Sequence, residues 1–250
     1  TSITQPAIFA VSLIVDQILR NKGIKPVMTA GHSLGEYSAL ASTGVFSFEE
    51  GLKLVRKRGK YMNEALPAGK GSMAAIIKLD KEKIADICTE VEGVCEIANY
   101  NSPLQVVISG EKEAIEEAVK KAKSAGALKA VELEVSGPFH SSLMEPAREK
   151  LATEIDSIDF NSPSVPIVAN VTAEVTEEVE QIKQNLLAQL SNSVCWEESM
   201  KLMIENGIDT FIEVGPGRIL KGLMKRIDKS VDVYSAFDQK SLDKICDELI

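Results

Sequence analysis

Residues 26 to 44, PVMTAGHSLGEYSALASTG, restrict the fold more than any other stretch of this chain. A short apolar run from Pro26 to Ala30 ends in glycine and serine, and a helix-like segment then runs on to Gly44. Strand, tight turn and helix with G-x-S-x-G at the turn form a nucleophile elbow, which lifts a serine Oγ above the end of a sheet. The same letters also describe a glycine-rich turn whose serine caps the following helix. Read as an elbow, the motif requires an α/β chain and offers Ser33 as nucleophile. Lipases, esterases, thioesterases and acyltransferases all use one, so the motif leaves open which molecule receives the acyl group.

The flanking pattern supplies the rest of such a frame. Thr4 and Pro6 start a helix whose apolar face is Ile8, Val11, Val15, Ile18 and Leu19, and Gly23 stops it. Ser47 and Glu50 form a capping box that opens a helix through Arg58 to about Asn63. Between Ser72 and Ser136 the segments MAAIIK, KEKIADICTEV, CEIANY, QVVISG, KEAIEEAVKKAKSAG and AVELEVS read β-α-β-β-α-β, the order of a ferredoxin-like subdomain. The ends of such a unit lie close together, so it can be inserted into a larger domain. The expected organisation is an α/β main domain with a mostly parallel sheet from residues 1–70 and 137–250, and a ferredoxin-like subdomain from 71–136. The main domain resumes with a helix from Ser141 to about Ile158, the strand VPIVA and helices around Glu177 to Leu190 and Glu197 to Asn206. The strand TFIEV, a GPG turn and the strand VDVYSA follow.

Composition narrows the function classes. A net charge of −9 argues against a nucleic-acid surface, which needs clustered Lys and Arg. The apolar run from Ala7 to Val15 stops at Asp16, well short of the ~18 residues a membrane span needs. It has no basic flank of the kind a signal peptide carries. Cys88, Cys95, Cys195 and Cys246 form no C-x-x-C pair, so no metal site is expected; they read as reduced, mostly buried thiols of a cytoplasmic protein.

A serine hydroxyl needs a general base within hydrogen-bond reach. The chain has two histidines. His32 adjoins Ser33, and neighbouring side chains on a tight turn diverge, which leaves His140 in SGPFHSSLM, where the chain re-enters the main domain. Free amides at the start of the helix, that of Leu34 among them, face the place where an oxyanion would form. No Asp or Glu can be assigned as a third member; a main-chain carbonyl or an amide side chain could orient the imidazole instead. Arg56, Lys57 and Arg58 follow on the next helix. If one faces the pocket as arginine, its planar fork would select an acyl group with a free acid at its far end.

The blocks QPAIFA, GHSLGEYSAL, LVRKRGKYM, GSMAAII, NYNSPLQVVISG, VSGPFHSSLM, VPIVANV and EVGPGRILKGL, in this order, resemble the malonyl-CoA:acyl carrier protein transacylases of bacterial fatty-acid synthesis. The resemblance covers essentially the whole chain and implies an α/β-hydrolase-like main domain with a ferredoxin-like insert. It implies Ser33 as acylated nucleophile, His140 as base and Arg58 as partner of the malonyl carboxylate. It further implies the main-chain carbonyl of Gln189 as the group holding the histidine ring, Leu34 as an oxyanion amide and Gln5 as a pocket residue. Phe139, before the histidine, matches members that take malonyl rather than branched units. The implied partners are malonyl-CoA or CoA and an acyl carrier protein that brings its own phosphopantetheine; no cofactor and no metal is implied, and a monomer is expected. The carrier is acidic, so a basic docking patch is expected around Lys221, Lys225, Arg226 and Lys120 to Lys123. Ser193 stands where the family often has proline. Family members begin with a strand and a GQGSQ-like loop that supplies a second oxyanion amide, and Thr1 aligns after it, so one such amide is expected here. The rival readings are a polyketide-synthase acyltransferase acting in trans, a serine esterase or thioesterase, and a carrier-binding protein without activity.

Overall fold

A computed structural model describes all 250 residues. Helix α1 (Thr4–Asn21) forms where the pattern places it, but it is rotated from the expected face. Gln5, Phe9, Ser12, Val15 and Leu19 are buried, while Val11 is exposed. The rotation carries the polar Gln5 inward, towards the site. Strand β1 (Thr29–Ala30) leads through the elbow into α2 (Leu34–Ser42). Next comes α3 (Phe48–Glu64), opened by the expected capping box between Ser47 and Glu50. Its buried positions, Leu54, Val55, Arg58, Gly59 and Met62, recur at helical spacing and place one arginine among apolar neighbours.

Residues 71–132 build a separate sheet. Strands β2 (Gly71–Ile77), β3 (Cys95–Ser102), β4 (Gln105–Glu111) and β5 (Lys129–Glu132) lie in the order β3-β4-β2-β5, every neighbouring pair antiparallel. Helices α4 (Lys81–Glu90) and α5 (Lys112–Ser124) fall between them in the chain. Ile76, Ile84, Ile108, Ile115 and Ala118 make a core distinct from that of the remaining chain. The unit does not hang free. Irregularities in the β3–β4 register let β3 turn one edge to residue 194, where Tyr100 N donates to Val194 O (2.9 Å) and Val194 N to Ala98 O (2.8 Å).

A 3-10 turn (Ser142–Met144) precedes α6 (Glu145–Asp156), β6 (Ile167–Val168), β7 (Val175–Thr176), α7 (Val179–Ala188) and α8 (Trp196–Glu205). Strand β8 (Thr210–Val214), α9 (Ile219–Ile227), β9 (Asp232–Ala236) and α10 (Gln239–Leu249) complete the chain. The main sheet is in two pieces: β1 and β6 run parallel with β7 antiparallel beside them, and β8 and β9 form a second parallel pair. An apolar cleft of about 410 Å³ separates the pieces, lined by Met28 and Ala30 on one side and Phe211, Ile212 and Val214 on the other. The largest core, with Phe9, Tyr37, Leu40, Leu54, Leu151 and Leu186, packs α1, α2, α3, α6 and α7 together beneath the elbow. No helix is long and apolar enough to cross a membrane.

Candidate active site

The elbow is held by contacts that differ for its two glycines. A Cβ on Gly31 would lie 2.0 Å from the carbonyl carbon and oxygen of Gly35, so strand and helix can approach this closely only with glycine there. Gly35 itself has open space. Ser33 sits at the bend with φ 52° and ψ −107°. Its amide donates to Asn170 Oδ1 (2.7 Å), while Asn170 Nδ2 donates to Gly31 O (2.7 Å). One buried asparagine just beyond β6 therefore clamps both sides of the turn. The Leu34 amide, first in α2, has no acceptor within its helix and stays free beside the serine.

His140 arrives from the re-entry loop with φ 59°. Its Nε2 lies 2.7 Å from Ser33 Oγ, and its Nδ1 is 2.7 Å from Gln189 O. A carbonyl can only accept, so Nδ1 carries the proton and Nε2 presents its lone pair to the serine. No carboxylate takes part. Burial, and then the positive Arg58, hold the imidazole down to about 3, so it is neutral at neutral pH.

Arg58 completes the centre. It is 1% exposed, whereas Arg56 lies at the surface and Lys57 pairs with Glu154. Nη1 donates to Gln5 Oε1 (2.7 Å), and Nη2 to Gln189 Oε1 (2.9 Å) and Ser33 Oγ (3.1 Å). The guanidinium lies over the Tyr37 ring at 5.1 Å, and its buried Nε has no partner. Its acceptors are all neutral, and no salt bridge reaches it.

A model of the acyl transferase domain matches residues 1–237. The chain belongs to the acyl transferase domain family. It is 45% identical to the malonyl CoA-acyl carrier protein transacylase of Bacillus subtilis over 242 residues, 96% of this chain and 76% of that protein. An acyl carrier protein S-malonyltransferase of Vibrio cholerae superposes with a TM-score of 0.96 at 42% identity, over 98% of this chain and 81% of that one. A malonyl-transacylase solved in complex with a type II polyketide acyl-carrier protein gives 0.97 at 44% identity, over 99% of this chain and 81% of that one.

Other acyltransferase site residues form a network that the sequence reading did not foresee. Gln189 serves twice: its main chain holds His140, while its side-chain Nε2 donates to Ser33 O (3.0 Å) and Glu36 Oε2 (2.5 Å). Glu36, in the first turn of α2, is buried and pushed up to about 7 by desolvation against the hydrogen bond from Gln189. His32 turns away from the serine: its Nε2 pairs with Asn101 Oδ1 on β3 (2.8 Å), and its ring lies 5.4 Å from that of Trp196. Gln5 meets Arg58 through Oε1 and Met62 Sδ through Nε2 (3.5 Å). Phe139 packs against the main core and a small cluster at β2 that includes Met73 and Ala75. Of the expected docking residues, Arg226 donates to Gln105 Oε1 (2.6 Å) and Lys121 pairs with Glu90. Asn170 and Glu36 lie 137 and 134 residues from their partners in the network, Ser33 and Asn170 respectively, a separation that no local pattern signals. Asn170 lies within the block VPIVANV that carries the family resemblance, the one signal that could have drawn attention to it.

Proposed function

We propose that this chain moves a malonyl group from malonyl-CoA to the phosphopantetheine thiol of an acyl carrier protein, through a malonyl ester on Ser33. The observation that carries the reading is Arg58, a buried guanidinium with no carboxylate partner, 3.1 Å from the serine oxygen. Burying an unpaired charge is costly, and an acyl group ending in a carboxylate compensates it where the chemistry occurs.

In the first half-reaction His140 Nε2 takes the Ser33 proton as Oγ attacks the thioester carbonyl. The oxyanion forms beside the Leu34 amide at the start of α2. Its collapse breaks the carbon–sulfur bond, and the departing CoA sulfur recovers the proton from His140. In the second half the carrier thiol gives its proton to the same nitrogen and attacks the ester, and Ser33 leaves as the alkoxide and is reprotonated. Gln189 O keeps one tautomer through both halves. The malonyl carboxylate also neutralises Arg58, one of the causes that lower the imidazole, so the correct substrate strengthens its own base. Side chains and main-chain amides carry every step; CoA and phosphopantetheine arrive with substrate and partner. Residues 71–136 are tied to the elbow, since β3 supplies Asn101 to His32, the residue before Ser33. An esterase reading leaves Arg58 without a role.

Intact mass after incubation with malonyl-CoA tests this. A malonyl adduct is expected on the wild type and none on Ser33→Ala, with the adduct lost on adding reduced carrier protein. Labelling of Ser33→Ala, or release as free malonate with no malonyl-carrier formed, refutes it.

A further inference from the structure

Two cysteines that the transfer chemistry does not use meet inside the βαββαβ unit. Cys88 lies in the last turn of α4 and Cys95 opens β3, both buried, with their Sγ atoms 3.4 Å apart. The connection between them turns at Gly93, whose φ is +91° and where a Cβ would lie 2.3 Å from Glu111 Oε2. The same carboxylate oxygen accepts from Val94 N (3.2 Å). This pinned turn brings the end of the helix back onto the start of the strand, and it faces one thiol with the other.

We propose that Cys88 and Cys95 are an oxidation site, at which a small hydroperoxide converts the thiol pair into an intramolecular disulfide. The sulfurs need close by only about 1.4 Å to reach the ~2.05 Å of a bond. Neither cysteine belongs to a C-x-x-C motif; helix, turn and strand create the pair. The two thiols are not equivalent. The hydrogen bond between them lowers Cys95 and raises Cys88, so Cys95 ionises first while Cys88 keeps its proton.

The reaction balances with the hydroperoxide as sole oxidant. The Cys95 thiolate attacks the peroxide oxygen, the O–O bond breaks, and the displaced oxygen leaves protonated, as water when hydrogen peroxide is used. The resulting sulfenic acid is attacked by the Cys88 sulfur, the S–O bond breaks, and a second water leaves with the Cys88 proton. Overall, two thiols and one hydrogen peroxide give one disulfide and two waters. The crosslink fastens the end of α4 to the residue before Glu96. Glu96 in turn accepts from the main-chain N and the side-chain Oγ of Ser142, two residues after the base (2.7 Å each).

The test treats the chain with hydrogen peroxide, quenches it with N-ethylmaleimide under denaturing conditions and measures intact mass. Untreated protein should take four labels, one per cysteine, and treated protein two. Digestion with a glutamate-specific protease cuts at Glu90 and Glu92, between the two cysteines. Fragments 83–90 and 93–96 should then stay joined until a reductant is added. Cys88→Ser and Cys95→Ser should each lose the joined species. Four labels after oxidation, or a crosslink through Cys195 or Cys246, overturns the proposal, and neither outcome depends on a variant folding.

Discussion

Replacing Arg58 by alanine should invert the acyl preference of the site, and the structure sets the scale. The guanidinium is 1% exposed, and its only hydrogen-bond partners are Gln5, Gln189 and the Ser33 hydroxyl. A malonyl carboxylate entering the variant pocket is desolvated against neutral amides. Removing one partner of a buried ion pair costs roughly 3–5 kcal/mol. At about 1.4 kcal/mol per decade, kcat/KM for malonyl-CoA should fall roughly 10²- to 3 × 10³-fold. Acetyl-CoA brings no carboxylate, and the substitution removes the positive charge that helps hold His140 low, so its rate should hold or rise modestly. The assay offers equimolar malonyl-CoA and acetyl-CoA and follows the two serine adducts by intact mass at early times. Arg58→Met, which keeps most of the side-chain volume, separates loss of charge from the cavity that alanine leaves. An unchanged malonyl-to-acetyl ratio in both folded variants refutes a carboxylate role for Arg58.

Gln189→Ala leaves the carbonyl that holds His140 in place but strips Arg58, Glu36 and the Ser33 carbonyl of a partner. KM for malonyl-CoA should therefore rise while the acid limb of the pH profile stays put; a shifted limb refutes the split between main-chain and side-chain roles. In the wild type that limb should lie well below 6.5, the ordinary histidine value, because His140 is held at about 3. A titration near 6.5 in kcat/KM refutes a buried neutral base. Stability should show two opposed slopes. Below about 6.5 the unfolded chain binds a proton that folded His140 refuses, so stability falls as pH drops, by at most ~1.4 kcal/mol per unit. Folded Glu36, pushed up to about 7, keeps a proton that the unfolded chain releases above about 4.5, so its contribution falls as pH rises through that window. Glu36→Gln should thus steepen the loss of stability in acid between about 4.5 and 6.5, read by urea unfolding; an unchanged slope refutes the raised carboxyl. Gly31→Ala, with a Cβ 2.0 Å from the Gly35 backbone, should lower Tm sharply or abolish folding, whereas Gly35→Ala, in open space, should be tolerated; equal effects refute the close-approach argument.

The parts of this molecule that could be read from sequence are those with local grammar. G-x-S-x-G announces a bend, a capping box announces α3, and alternating segments announce the βαββαβ unit. His140 followed by elimination, because a chain with two histidines offers few bases. Arg58 was distinguishable from Arg56 only through the resemblance, although the helical spacing of Leu54, Val55 and Met62 places it on the buried face. The pairing of β1, β6 and β7 was not legible, since these strands are two residues each and carry too little alternation to declare partners. Helices α9 and α10 lie outside the expected elements, although the caps of α10 are present in the letters, Asp238 with Ser241. Asn170 and Glu36 were missed for a different reason. Each satisfies groups brought near only by the folded chain, and an asparagine or glutamate in an apolar segment does not say which distant amide it will meet.

Four residues other than glycine hold a positive φ, and two of them are Ser33 and His140. Left-handed backbone at a side chain of this size stores of order 1–3 kcal/mol each, against a total stability of roughly 5–15 kcal/mol for a domain. Backbone that glycine adopts freely is here held by a nucleophile and a base, whose side chains the chemistry requires. The nucleophile and its base therefore sit on a spring, which the clamp of Asn170 on one side and the carbonyl of Gln189 on the other hold compressed.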